Sequence, residues 1–176
     1  MNITVYLGAS DGNDIAFKKA IRELGKWIAE NGHTVVYGGS KAGLMGDLAE
    51  SALLAGGKVI GVEPQFFIDA GYEYNDVTEL IVTEDMSQRK AKMISLGDAF
   101  IAFPGGSGTL EEISEVISKV CLHQLNAPVL IYNLDGYYDS LKALFAHMVD
   151  KGLLNVDEIS KIHFVSNLKE IVNFLK

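Results

Sequence analysis

Short apolar runs rich in β-branched residues alternate along the chain with longer segments whose apolar positions recur every three or four residues. The first run, Ile3 to Leu7, reads as a strand and leads into Gly8-Ala9-Ser10-Asp11-Gly12. Behind it Ile15, Ile21, Leu24, Trp27 and Ile28 keep helical spacing up to a natural C-cap at Asn31-Gly32. Thr34 to Tyr37 is a second strand, running into Gly38-Gly39-Ser40, and Leu44 to Ala55 a helix closed by Gly56-Gly57. Lys58 to Val62, stopped by Pro64, and Glu79 to Val82 are the third and fourth strands, with residues 65 to 77 between them expected to be irregular. Met86 to Leu96 follows as a helix. The fifth strand, Ala99 to Phe103, ends at Pro104-Gly105-Gly106 and precedes a long helix from Leu110 to Gln124. Val129 to Tyr132 is a sixth strand and Tyr138 to Val149 a helix; a short strand at Phe164-Val165 and a helix from Leu168 to Leu175 complete the pattern.

Strand alternating with helix predicts an α/β fold, a parallel sheet covered on both faces. The strands are continuously apolar, as strands buried on both sides must be. The 176 residues suit one domain spanning 1–176, without an internal linker or repeat.

Composition narrows the partners. The net charge is −8, from 15 Lys+Arg against 23 Asp+Glu, so a phosphate polymer is repelled and nucleic-acid binding is not expected. A small anion remains compatible, because one local cluster of cations can dominate a pocket. The single cysteine, Cys121, excludes an internal disulfide and fits a reducing compartment. The first apolar run has no basic region before it and no run reaches the ~20 residues of a membrane span, so the expectation is a soluble cytoplasmic protein without a signal peptide. His33, His123, His147 and His163 are scattered, none at metal-ligand spacing from a cysteine or carboxylate, and no metal is expected.

Two strands run straight into paired glycines that precede a helix: Tyr37-Gly38-Gly39-Ser40 and Pro104-Gly105-Gly106-Ser107-Gly108-Thr109. Glycine admits close approach of the backbone to a ligand, and a helix N-terminus offers free N–H groups, so phosphate is the natural occupant. Tight-turn punctuation is the alternative, and it suffices for Gly56-Gly57. Three glycines and two hydroxyls between Gly105 and Thr109 exceed what a turn needs. The Walker pattern G-x-x-x-x-G-K-[ST] is absent, and so is G-x-G-x-x-G after the first strand. Thr109 stands where the serine-hydrolase motif G-x-S-x-G requires its last glycine.

Two charged clusters flank these loops. Glu111 and Glu112 fall in the first turn after the second loop, where Thr109-x-x-Glu112 reads as a capping box; a carboxylate there also suits ribose hydroxyls or an oriented water. Asp85 to Met93 is the one dense basic segment, with Arg89 and Lys92 at helical spacing and Lys90 turned away. It reads as a solvated face or as an anion clamp, with Asp85 a cap for its helix. Phe66, Phe67 and Ile68 fit ordinary packing or the wall of a tail pocket.

Together these residues resemble the LOG (Lonely Guy) family of cytokinin riboside 5′-monophosphate phosphoribohydrolases. Pro104 to Glu112 matches the family's P-G-G-x-G-T-x-x-E motif throughout. Asp85 to Lys90 resembles its D-M-H-x-R-K, with Ser87 where histidine is common, and Tyr37 to Gly46 its Y-G-G-G-x-x-G-L-M-G, with Ser40 for the third glycine. Gly8-Ala9-Ser10 is similar to its opening G-S-S, and the likeness runs on to Gly136-Tyr137-Tyr138. The resemblance implies a Rossmann-like doubly wound parallel sheet in three α/β/α layers, a homodimer or higher assembly with the site near the subunit interface, and no cofactor. It implies that Gly105, Gly106, Ser107, Gly108 and Thr109 hold the 5′-phosphate of a nucleoside monophosphate and that Arg89 and Glu112 are catalytic. Further substrate contacts are expected at Ser10, Gly39, Met86, Lys90 and Glu111. Relatives often carry the label lysine decarboxylase, but no pyridoxal-phosphate lysine context is recognisable. The competing expectation is a non-catalytic carrier of a phosphate-bearing cofactor, which needs the glycine loop but not Glu112; a phosphotransferase lacks both a triphosphate loop and a metal site.

Overall fold

The computed structural model describes residues 1–175; Lys176 lies outside the described residues. Seven strands, β1 (Asn2–Tyr6), β2 (Thr34–Tyr37), β3 (Lys58–Pro64), β4 (Glu79–Thr83), β5 (Ala99–Ala102), β6 (Val129–Tyr132) and β7 (Ile162–Val165), form one all-parallel sheet in the order β4-β3-β2-β1-β5-β6-β7. The chain winds outward from β1 to β4, returns to the other side of β1 and winds outward again. The direction therefore reverses between β1 and β5. A crevice opens at such a switch point, beyond the carboxyl ends of the strands. The loops after both strands are the glycine-bearing ones, Gly8 to Ser10 and Pro104 to Gly106.

Helices cover both faces. Helices α1 (Ile15–Glu30) and α2 (Gly43–Leu54) lie on one, together with the C-terminal helix Leu168–Phe174, over Ile3, Val5, Val35, Tyr37, Ile101 and Leu130. On the other face, α3 (Gln65–Asp69) leaves β3, while α4 (Met86–Leu96), α5 (Ser107–Cys121) and α6 (Asp139–Asp150) pack over Tyr6, Val36, Val62, Phe100 and Ile131. Strand residues alternate between the two clusters with the pleat. The short helix Val156–Ile159 is α7, and Leu168–Phe174 is α8.

The predicted strands are all present, and β7 extends two residues further back than the apolar pair suggests. Three expectations are corrected. Part of the segment 65 to 77 is helical, and α7 is an additional helix; five and four residues are too short to show a period. More consequentially, α5 begins at Ser107, three residues before Leu110, with Gly106 as its N-cap. Thr109 is thus inside the first turn, and the capping box Thr109-x-x-Glu112 does not form.

Close packing of α1 on α2 rests on Gly25, in mid-helix. A Cβ there would meet the Ser51 hydroxyl and come within 2.6 Å of the Leu48 carbonyl oxygen. Alanine gains about 1 kcal/mol over glycine in a helix, but overpacking typically costs about 1–3 kcal/mol. Gly25→Ala is expected to lower the thermal midpoint; a raised midpoint in a melting curve would show that the helices separate at no cost.

Candidate active site

The crevice holds a cavity of about 520 Å³, within the usual range for small-molecule sites. Its walls come from the loops after β1 and β2, from β3, and from the starts of α4 and α5. A second hollow shares Gly8, Ser10 and Gly106 with it and opens on the other side of the loop, beside Asn13, Phe17 and Tyr137.

The start of α5 supplies its anion-seeking end. The first N–H groups of a helix have no intrahelical acceptor, and Gly106 brings no side chain to cap them. The carbonyls of the preceding loop are all engaged elsewhere. Phe103 O accepts from the Tyr138 hydroxyl (2.8 Å), Pro104 O from Gly8 N–H (3.3 Å), and Gly105 O from the Tyr137 hydroxyl (2.6 Å). Held in this way, the loop keeps its acceptors occupied and its donors free. Gly105 packs tightly, since a Cβ would strike the Thr109 hydroxyl and lie 2.8 Å from Gly8 N. Gly106 and Gly108 face open space, and both line the cavity with Ser107 and Thr109.

Beside this helix start a buried ion pair joins α4 to α5. Asp85 caps α4 by accepting the Gln88 N–H at 2.8 Å, and Arg89 then falls on the inward face with Met93 one turn on. The Arg89 guanidinium is almost fully buried. Its Nε donates to Val62 O at 3.1 Å, its Nη1 pairs with Glu112 Oε1 at 3.0 Å and contacts Met86 Sδ at 3.7 Å, and its Nη2 lies over Gly38 where a Cβ would be. Glu112 is equally buried, so it faces the cavity and α4 rather than its own main chain. Burial raises the Glu112 pKa above the ordinary carboxylate range, partly opposed by Arg89 and assisted by Glu111.

Of the residues singled out in the sequence, Ser10, Met86, Arg89, Gly106, Ser107, Gly108, Thr109 and Glu112 share this cavity. Gly105 lines the adjoining hollow. Lys90 and Glu111 do not line either one: Lys90 Nζ pairs with Glu111 at 2.6 Å and with Glu115 at 3.4 Å, along the outer faces of α4 and α5. Hydrogen bonding to Glu111 raises the Lys90 pKa. Lys92 is exposed. Gly39 is absent from the wall as well; its φ of +87° suits glycine, and a Cβ would come within 2.8 Å of Glu63 Cβ. Phe67 lines the cavity, whereas Phe66 is exposed.

The sequence reading overlooked Glu63. It closes the apolar β3 run and is almost fully buried in the cavity wall, and its Oε2 has no hydrogen-bond partner among the described residues. Such an orphan typically costs about 1–3 kcal/mol. Burial pushes its pKa up to about 7, with Arg89 pulling it down and Glu73 adding to the rise. A carboxylate at the carboxyl end of an apolar parallel strand is the one sequence feature that marks it. Met45 and Tyr72 complete the wall around it.

No lysine lines this cavity among the described residues, which leaves pyridoxal-phosphate chemistry without its usual anchor. Nor is there a cluster of three or more metal-ligating side chains among them, and no described helix is long and apolar enough to cross a membrane.

Comparisons with known proteins identify the family. Residues 45–175 match a family model described as possible lysine decarboxylase. A cytokinin riboside 5′-monophosphate phosphoribohydrolase of Arabidopsis thaliana is 38% identical over 174 residues, covering 99% of this chain and 82% of the relative. One from Rhodococcoides fascians is 40% identical over 162 residues, covering 92% and 82%. In fold the chain is similar to the molybdenum cofactor carrier protein of Chlamydomonas reinhardtii, with a TM-score of 0.74 at 24% identity over 99% of this chain and 94% of that one. The molybdenum cofactor binding protein of Rippkaea orientalis gives 0.73 at 22%, over the same shares. At those identities the likeness extends to the fold alone. The match to the phosphoribohydrolases over nearly the whole chain makes this chain a member of the LOG family.

Proposed function

We propose that this protein hydrolyses the N-glycosidic bond of an adenine-type nucleoside 5′-monophosphate, plain or N6-modified, releasing free base and ribose 5-phosphate. The observation that carries the reading is the buried Arg89–Glu112 pair, with Glu112 in the second turn of the helix whose uncapped start lines the same cavity.

The chemistry follows from where charge develops. The 5′-phosphate binds at Gly106 to Thr109, where free N–H groups and the helix dipole meet it. That remote contact positions the sugar, so its binding energy serves the reacting bond. As the C1′–N bond lengthens, the ribose acquires oxocarbenium character, as in glycoside hydrolysis. Glu112 supplies the compensating negative charge and, with its raised proton affinity, accepts the proton of the attacking water. Arg89 holds Glu112 in place and stabilises the departing base, whose nitrogen then takes the proton that Glu112 received from water, so that the water is divided between the two products. Glu111 is the reserve acid at the start of α5, but its pairing with Lys90 gives it an outer, structural part in this scheme.

Purified protein incubated with adenosine monophosphate, or its N6-prenylated form, is expected to yield a free-base peak on chromatography. A carrier of the same fold would instead show thermal stabilisation by nucleotide without base release, and that result would refute hydrolysis. A cytoplasmic homodimer or larger assembly, with the site close to the subunit interface, belongs to the same proposal; family resemblance and the single cysteine support it.

A further inference from the structure

The unpartnered Glu63 carboxyl calls for a ligand group. Among the described residues the buried side-chain atoms without a hydrogen bond are Tyr6 Oη, Tyr37 Oη, Asp47 Oδ2, Glu63 Oε2 and Glu73 Oε2, and of these only Glu63 lines the cavity. Its position defines which part of a ligand it meets. Glu63 is the penultimate residue of β3, and the loop that receives the phosphate follows β5, three strands across the sheet in the order β3-β2-β1-β5. At ~4.8 Å per strand that is about 14 Å, the far end of a nucleotide lying with its phosphate on α5 and its ribose at Arg89 and Glu112. The same cavity has apolar wall from Met45, Phe67, Tyr72 and Met86, which suits the faces of a base. The glycine at 39 keeps the carboxyl in place, because a side chain there would collide with the Glu63 stem.

We propose that Glu63 is the base-reading residue of this site, its carboxyl donating one hydrogen bond and accepting another along the edge of a 6-aminopurine, from the exocyclic N–H to the adjacent ring nitrogen. This rests on the nucleotide reading above. A 6-aminopurine presents a donor beside an acceptor, and a protonated carboxyl presents the complement. An N6-monosubstituted adenine keeps one N–H, so the pairing survives the modification while the substituent lies against Phe67 and Tyr72. The elevated Glu63 pKa favours the form required.

Affinities measured by calorimetry for adenosine 5′-monophosphate and for ribose 5-phosphate, which lacks the base, test it. Glu63→Leu is expected to weaken adenosine monophosphate about 10-fold or more, the value of a bidentate pair, and to leave ribose 5-phosphate within about 2-fold on the same scale. Equal losses for both ligands would mean a structural role and overturn the proposal, as would no loss for either. Glu63→Gln keeps one donor and one acceptor without the ability to ionise. Wild type is expected to bind adenosine monophosphate more weakly at pH 8.5 than at pH 6, and Glu63→Gln to lose that part of the pH dependence. The groups acting on Glu63 are Arg89 from α4, Tyr37 from β2 and Glu73 from the loop after α3. They and the ligand phosphate are common to both proteins, so identical pH profiles would overturn the proposal even if Glu63→Leu does not fold. These readings are of binding alone. Absence of base release by the wild type would therefore sink the hydrolase reading and leave the role of Glu63 to be judged separately.

Discussion

Glu112→Gln is expected to lower kcat for base release by roughly 100-fold or more, the usual contribution of a positioned acid–base group, with a much smaller change in the affinity for ribose 5-phosphate. Glutamine keeps an oxygen for Arg89 Nη1 to donate to, so the buried guanidinium is not left without a partner. That matters, because stripping one member from a buried pair commonly costs about 3–5 kcal/mol, and loss of fold would be mistaken for loss of chemistry. Arg89→Ala should fall in parallel. The carboxyl it leaves behind can take up a proton, which its burial already favours, so folding suffers less than turnover. Melting curves and single-turnover rates on the same samples separate the two effects. If both variants turn over at rates within a few-fold of wild type while folded, the pair is structural and the assignment of the reaction to it fails.

Gly38→Ala is expected to cost about as much activity as Arg89→Ala, although it adds only a methyl group and lies on another element. The new Cβ would occupy the place of Arg89 Nη2, and Met45 Sδ stands 3.2 Å away on the far side. The guanidinium has to leave its bonds to Val62 O and Glu112. This decides between two roles for the glycine pair after β2. If Gly38 exists to let the backbone approach a ligand, alanine there should lower activity further in an Arg89→Ala background. If it exists to make room for the guanidinium, the double variant should be no worse than Arg89→Ala alone, because the two substitutions remove the same interaction. Additive losses would show that Gly38 serves a ligand rather than the guanidinium.

The two glycine-bearing loops therefore do different work, though they look alike in the sequence. After β5 the small residues expose N–H groups at a helix start, with carbonyls tied back by Tyr137 and Tyr138. After β2 they leave volume for two charged side chains, Arg89 above Gly38 and Glu63 above Gly39. In the proposed reaction the absence of a Cβ serves a ligand in one loop, and in the other it leaves room for a pair of neighbours. Both outcomes place the site at the reversal of strand order, where the loops after β1 and β5 diverge and a crevice is unavoidable.

The sequence by itself determined the α/β alternation, the strand positions, the helix over Met86–Leu96 with its Asp85 cap, and the loop from Pro104 to Thr109. These depend on local backbone preference and on the periodicity of burial, which neighbouring residues report. It also singled out Arg89 and Glu112, because a nine-residue motif and a basic helix carry them. Only the tertiary structure decided that these two meet at 3.0 Å, that Lys90 and Glu111 pair outside the cavity, that α5 starts early enough to abolish the capping box, and that Glu63 stands unpartnered in the wall. Each depends on how crossovers stack separate elements over the sheet. Spacing along the chain does not encode that distance, since a side chain's partner is chosen by the volume and charge left around it once the layers have packed.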